Sequence, residues 1–292
     1  MGIENNRKRV ALVIGSGSVK CAAAIGIQNV LSREGIGFDM VVGCSAGAIY
    51  ASLMAVGHTG DTAAQMTAKL WTKEVTSKRN TWAMLRAMAP KMLGFRPDSF
   101  GLRDDTLIMG RLRQTFGDAR IEDLKIPLHI TATDFSNGEL VALSRGSLVD
   151  AIRASIELPF AFSPWRVDGR LLIDGFLSDP LPLSVALKNG ADVIVAIGFE
   201  SPYQETVGSA GRFAFQLSSI MSNNLLKSRF AFHSMAHHSE VIAILPEFRE
   251  RVKLFDVGKL DYIIREGELA AEQQLPYLRE LLAEGRAGAL SA

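Results

Sequence analysis

The sequence has little cysteine, no surplus charge and no long apolar run, and each lack narrows what the chain can be. Its two cysteines, Cys21 and Cys44, make neither a disulfide framework nor a metal-ligand spacing, which fits a reducing compartment. Basic and acidic side chains nearly cancel, 32 against 31 for a formal net charge of +1, and no dense basic run occurs, so nucleic acid is not an expected partner. The one basic cluster, Arg7-Lys8-Arg9, precedes the first strand signal and reads as a solvated leader. No apolar window reaches the roughly 18 residues that span a bilayer. The opening MGIENNRKRV has no apolar core before its charges, unlike a signal peptide, and Asn6 stands where myristoylation after Gly2 needs Ser or Thr. These absences predict a cytoplasmic protein that touches membranes only peripherally. Repeats and low-complexity segments are missing too, and the expectation is one domain over residues 1–292.

What is present is a core. The chain of 292 residues is 48% hydrophobic, enough to bury a large interior. Val10–Ile14 is a continuous apolar run of the kind buried on both faces of a sheet, residues 21–31 are apolar at helical spacing, 39–42 read as a second strand and Ala46–Val56 as a helix ended by Gly57. Strand, helix, strand, helix with short links opens a parallel sheet covered by helices. Further strands are expected at 126–135, 165–174, 191–197 and 241–245, and helices at 148–155, 182–188, 209–238 and 256–285. The predicted fold class is therefore α/β, three layers with a mostly parallel central sheet. Residues 58–118 differ. They are helix-like, with Trp71, Trp82, Met84, Leu85, Met88, Met92, Leu93 and Phe95, but Pro90 and Pro97 interrupt them. They read as a helical insertion or lid able to hold acyl chains or dip into a membrane surface, although such a stripe is commonly core.

Two glycine-rich turns carry chemistry. The first, in VALVIGSGSVK, fits a phosphate cradle, an oxyanion loop or a plain turn. A dinucleotide fingerprint needs a third glycine where Lys20 stands, and its acid would be Asp39, at the start of the second strand rather than its end. The second turn, GCSAG at 43–47, lies between a strand signal and a helix signal. That context lifts G-x-S-x-G above chance: small neighbours let the chain turn sharply and present Ser45 at a helix N-terminus.

A nucleophilic serine needs a base. Of the five histidines, His58 follows the helix after the serine, His129 lies in an apolar strand run, and His233, His237 and His238 fall on the long late helix. None sits on a late loop, as a Ser–acid–His order would want. Two Asp-Gly pairs offer carboxylates. Asp168-Gly169 lies between WRV and RLLI and reads as a hairpin turn. Asp174-Gly175 follows the second strand of that hairpin, where burial beside a serine would raise the carboxyl pKa and improve it as a base. Spacing alone does not choose Asp174.

Three separated segments resemble one family, the patatin-like phospholipases, in particular its small bacterial members. VIGSGSVKCAAAIGIQNVL is similar to the family's glycine-rich first motif, VVGCSAGAIYASLMAVG to its nucleophile elbow, and RASIELPFAFSPWRVDGRLLIDGFLSDPLP to the segment ending in its catalytic Asp-Gly. The resemblance implies a Ser–Asp dyad without histidine, with Ser45 as nucleophile and Asp174 as base. It implies an oxyanion hole from backbone N–H groups of Gly15, Ser16, Gly17 and Ser18, with Lys20 at the family's basic position holding the loop. It implies a lipid or acyl-ester substrate and neither metal nor organic cofactor. Two departures stand out: Cys21 replaces a customary glycine, and Phe176 follows the Asp-Gly where a small residue is usual. The rival expectations are an idle scaffold acting as an interaction protein and, more remotely, a dinucleotide-binding protein.

Overall fold

The structure, a computed structural model, describes residues 7–72, 81, 100–101, 103–159, 161–201, 203, 206–236, 240–254 and 256–287. Its strands are β1 (Val10–Ile14), β2 (Met40–Cys44), β3 (Leu128–Asp134), β4 (Leu140–Leu143), β5 (Trp165–Val167), β6 (Arg170–Asp174), β7 (Val193–Ile197) and β8 (Glu240–Ile244). They form one sheet in the order β5-β6-β3-β2-β1-β7-β8, with β4 added to β3. The stretch from β3 to β8 is parallel, while β4 and β6 pair antiparallel to β3.

The apolar runs explain this placement. VALVI, MVVGC and VIVAI are buried at every position, as strands covered on both faces are. The helices among the described residues are α1 (Ala23–Arg33), α2 (Ala46–Val56), α3 (Gly60–Leu70), α4 (Thr106–Phe116), α5 (Leu148–Ser155), α6 (Leu183–Lys188), α7 (Ala210–Ala236) and α8 (Leu260–Ala287). Alternate residues of β1 divide between two cores. Val10, Leu12 and Ile14 pack with residues of α1, α2 and α8, whereas Ala11 and Val13 pack with Leu183, Ala186 and Leu226 from α6 and α7. The result is the expected three-layer α/β/α architecture.

Some boundaries moved for physical reasons. The helix expected from residue 21 is preceded by a 3-10 turn over Ser18–Ala22, and α1 starts only at Ala23. The Val19 N–H (3.3 Å) and the Ser18 hydroxyl both donate to the Leu254 carbonyl, which ties this turn to a distant strap. In the 58–118 region, α3 and α4 bury Ala63, Leu70, Ile108, Met109, Leu112 and Phe116 in the main core. Trp82, Met84, Leu85, Met88, Met92, Leu93 and Phe95 lie outside the described residues. No helix among the described residues is long and apolar enough to cross a membrane.

The chain leaves β1 toward β2 on one side and later returns to β7 on the other. Open α/β sheets bind ligands beyond the strand C-termini at such a reversal. The loops after β1 and β2, which carry the two glycine-rich motifs, meet there.

Candidate active site

Ser45 joins β2 to α2 with φ 56° and ψ −131°, a left-handed conformation that a residue with a Cβ holds only under compulsion from its surroundings. The compulsion is close packing. A Cβ on Gly47 would lie 2.4 Å from the Ile14 carbonyl oxygen, and one on Gly43 would lie 2.5 Å from the Ala48 Cα. Glycine at both positions lets α2 start directly against β1, and the turn lifts Ser45 to the helix N-terminus. The Ser45 N–H donates to Ser155 Oγ (2.8 Å), and Ser155 in turn donates to the Thr131 carbonyl (2.7 Å).

The Ser45 hydroxyl donates to Asp174 Oδ2 at 2.7 Å. Asp174 ends β6 beside Ala132 of β3 and is wholly buried. Its second oxygen, Oδ1, accepts the Phe176 N–H at 3.1 Å, its own N–H donates to the Glu157 carbonyl at 3.1 Å, and its carbonyl accepts from Thr133 Oγ1 at 2.9 Å. Both carboxylate oxygens and the backbone are therefore held. Burial pushes the carboxyl up to about 7, against the opposing pull of the Phe176 N–H and the Ser45 hydroxyl. Such a group ionises near neutrality, where a proton acceptor is most useful.

Neither histidine with a described side chain takes part in this contact. His129 sits partly buried on β3, where desolvation lowers its pKa, and His58 follows α2. His237 and His238 lie outside the described residues, as does the His233 side chain. Asp168 and Gly169, with φ of 46° and 79°, form the turn between β5 and β6, as the hairpin reading expects. Asp39 accepts the Val10 N–H at 2.8 Å and pairs with Arg7. It sits at the start of β1 and β2, the opposite end of the sheet from the glycine loop.

The first loop is more selective than the sequence suggested. The Gly15 N–H donates to the Ile197 carbonyl (2.9 Å) and the Ser16 N–H to the Pro180 carbonyl (2.8 Å), so these two donors are spent within the fold. Among the described residues, the N–H groups of Gly17 and Ser18 have no acceptor, and both residues line the pocket that contains Ser45. Lys20 turns away from that pocket. Its ammonium lies 5.5 Å from the Phe248 ring centre and 3.4 Å from the Glu200 carbonyl oxygen, and burial lowers its pKa. It fastens the loop to the segment after β7. Cys21 is buried beneath the loop, with its thiol donating to the Gly15 carbonyl at 3.3 Å and burial pushing its pKa up.

The pocket is a cavity of about 60 Å³. Trp71, Ile156, Leu158, Phe162, Phe176 and Leu254 give it apolar walls, and α7 closes one side with Phe215, Ser218 and Ser219. Phe176, the departure noted in the sequence, is one of these walls. A carbonyl carbon placed at Ser45 Oγ would have apolar surface for a hydrocarbon chain and the Gly17 and Ser18 amides for its oxygen.

Several supporting residues escaped the sequence reading. Arg153 is fully buried, ion-paired to Glu157 and to Asp105 (2.5 Å), and lies over the rings of Phe162 (5.4 Å) and Trp165 (5.2 Å). It anchors the end of α5 from which Ser155 reaches Ser45. Asp179, also buried, lies 3.5 Å from Arg229 of α7; burial pushes it up to about 6 while Arg229 pulls it down. The signal available was charge inside apolar text, in RASIELPF and LSDPLP, which betrays a buried partner without naming it.

A profile of the patatin-like phospholipase family matches residues 12–187, which include Ser45, Asp174 and the first loop. An uncharacterized NTE family protein of Mycobacterium tuberculosis is 34% identical over 189 residues, 65% of this chain and 48% of that protein. Patatin-like phospholipase domain-containing protein 7 of Mus musculus is 31% identical over 190 residues, 64% of this chain and 13% of that protein. The matched region thus spans about half of the mycobacterial relative and a small part of the mouse protein. Among solved structures, VipD of Legionella pneumophila gives a TM-score of 0.46 at 14% identity, over 93% of this chain and 67% of that one, a likeness too distant to bear on the site. With the family profile extending over more than half of its length, this chain belongs to the patatin-like phospholipase family.

Proposed function

We propose that the protein is a serine acyl-ester hydrolase of the phospholipase A or lysophospholipase type. The observation that carries this reading is the 2.7 Å hydrogen bond from the Ser45 hydroxyl to a buried Asp174 carboxylate, at an apolar pocket with two open backbone amides. Asp174 Oδ2 takes the proton as Ser45 Oγ attacks the ester carbonyl, and the carbonyl oxygen becomes an oxyanion held by the Gly17 and Ser18 N–H groups. One such donor contributes about 3 kcal/mol to a transition state. Collapse of the intermediate breaks the bond to the alcohol, which leaves with the proton from Asp174. A water then gives its proton to Asp174 and attacks the acyl-serine, releasing the fatty acid and restoring Ser45.

Turnover of medium-chain p-nitrophenyl esters by the wild type, abolished in both Ser45→Ala and Asp174→Ala, is the expected result. Equal background rates in all three proteins would end the proposal.

A further inference from the structure

The helix that walls the pocket has two unlike faces. Toward the interior, Ser219, Ser222, Asn223 and Leu226 of α7 are buried. On the other side Phe213, Leu217, Ile220 and Met221 are 56%, 47%, 38% and 68% exposed. Their spacing of i, i+4, i+7 and i+8 makes one continuous apolar stripe on a helix of 27 residues. Single exposed apolar side chains are ordinary; a contiguous row of four large ones on one helix marks an interaction surface.

Charge identifies the partner. Between Glu205 and Glu240 the sequence contains no carboxylate, yet it contains Arg212, Lys227 and Arg229. Arg229 is engaged by Asp179 (3.5 Å), and Lys227 meets Glu200 (3.2 Å) as an exposed pair, which water largely screens. Arg212 is exposed and has no acidic partner among the described residues. It also stands in the first turn of α7, where the helix dipole disfavours a cation. A positive charge kept there against its own helix, beside an apolar stripe and with no acidic partner among the described residues, suits a surface that is apolar within and anionic at its border.

We infer that the outer face of α7 is the surface by which this protein docks onto an anionic lipid bilayer. This deepens the acyl-hydrolase reading and rests on it only for its purpose: the helix lies in the headgroup region with Phe213, Leu217 and Met221 inserted, while its inner face lines the pocket that receives the acyl chain. An interfacial helix gains from buried apolar area and from attraction to anionic lipid together.

The test uses the full chain carrying Ser45→Ala, so that binding is read without turnover, in cosedimentation with phosphatidylcholine–phosphatidylglycerol vesicles and with phosphatidylcholine vesicles. Phe213→Ser combined with Leu217→Ser and Met221→Ser should weaken binding to both by about tenfold or more, because affinity follows inserted apolar area. Arg212→Glu should weaken binding to the anionic vesicles alone. Leu269→Ser, on the exposed side of α8, should change neither, and unfolding curves show whether the triple variant is folded. In the otherwise wild-type chain, the triple variant should leave hydrolysis of a soluble short-chain ester intact. Wild-type failure to bind vesicles, binding unaffected by the triple variant, or a dimer in solution that the triple variant dissociates without altering vesicle binding would each overturn the proposal. Absence of esterase activity with vesicle binding intact would instead overturn the hydrolase reading and leave the docking face standing.

Discussion

The dipeptide Asp-Gly occurs twice within a few residues, and its two copies live in opposite environments. Asp168-Gly169 is exposed at the tip of the β5–β6 hairpin, where positive φ at both positions matches the twist of the strands. Asp174-Gly175 is buried at the other end of the same strand, where Phe176 N–H and the Ser45 hydroxyl take both carboxylate oxygens. One carboxylate is solvated and ends a turn. The other is desolvated, pushed up to about 7 and aimed at a hydroxyl. Residue identity is the same; what differs is water, and water decides which aspartate can act as a base near neutral pH.

The largest expected difference between the two is in turnover. Asp174→Asn removes the proton acceptor while keeping the side chain's shape and should lower kcat/KM by roughly 10³-fold or more, as losses of dyad or triad members do. Asp168→Asn retains turn chemistry and should leave kcat/KM within about twofold. Ester kinetics on both variants make the comparison, and similar losses in both would break it.

Stability should show the same contrast with the opposite sign. The folded-state pKa of Asp174 is raised, so the folded protein binds a proton that the unfolded chain has released. Wild-type stability is therefore intact below the ordinary carboxylate range and falls as pH rises from about 4 to about 7. The loss is at most ~4 kcal/mol from this group. Asp174→Asn escapes that loss, so chemical denaturation should find it stabilised relative to wild type at pH 8 and much less so at pH 4. Asp179, pushed up to about 6, adds a slope of the same sign to both proteins and cancels in the difference.

Activity should report the same ionisation. With Asp174 needed as a base, kcat/KM should fall about tenfold per pH unit below its pKa near 7 and level off above it. A plateau extending unbroken down to pH 5 would separate Asp174 from the chemistry. The smallest effect belongs to the hairpin: Asp168→Ala forces alanine into positive φ and should cost about 1 kcal/mol in denaturant unfolding without touching the pH profile.

Much of this is legible in the sequence. The short apolar runs at 10–14, 39–42 and 191–197 announced buried parallel strands because they are strand-length and alternate with helical patterns over short links. GCSAG announced its turn through its flanks, and Asp168-Gly169 announced a hairpin through WRV and RLLI. The choice of Asp174 came from likeness to a family, since spacing left it open beside the histidines; its contact with Ser45 depends on β6 pairing with β3, a tertiary fact. The loop's donors were beyond reach for the same reason. Gly15 and Ser16 lose their N–H groups to carbonyls of Ile197 and Pro180, far along the chain, and Lys20 is turned outward by Glu200 and Phe248. Ser155, Arg153 and Glu157 support the site through contacts that local text does not encode.

The central claim is that buried Asp174 activates Ser45, and a fluorophosphonate reports on it directly. Intact-mass and peptide mass spectrometry of the labelled protein should find a single adduct, on Ser45, whose rate of formation rises through a pH near 7 in the wild type and collapses in Asp174→Asn. An adduct on another residue, no adduct at all, or equal labelling rates in wild type and Asp174→Asn would contradict it.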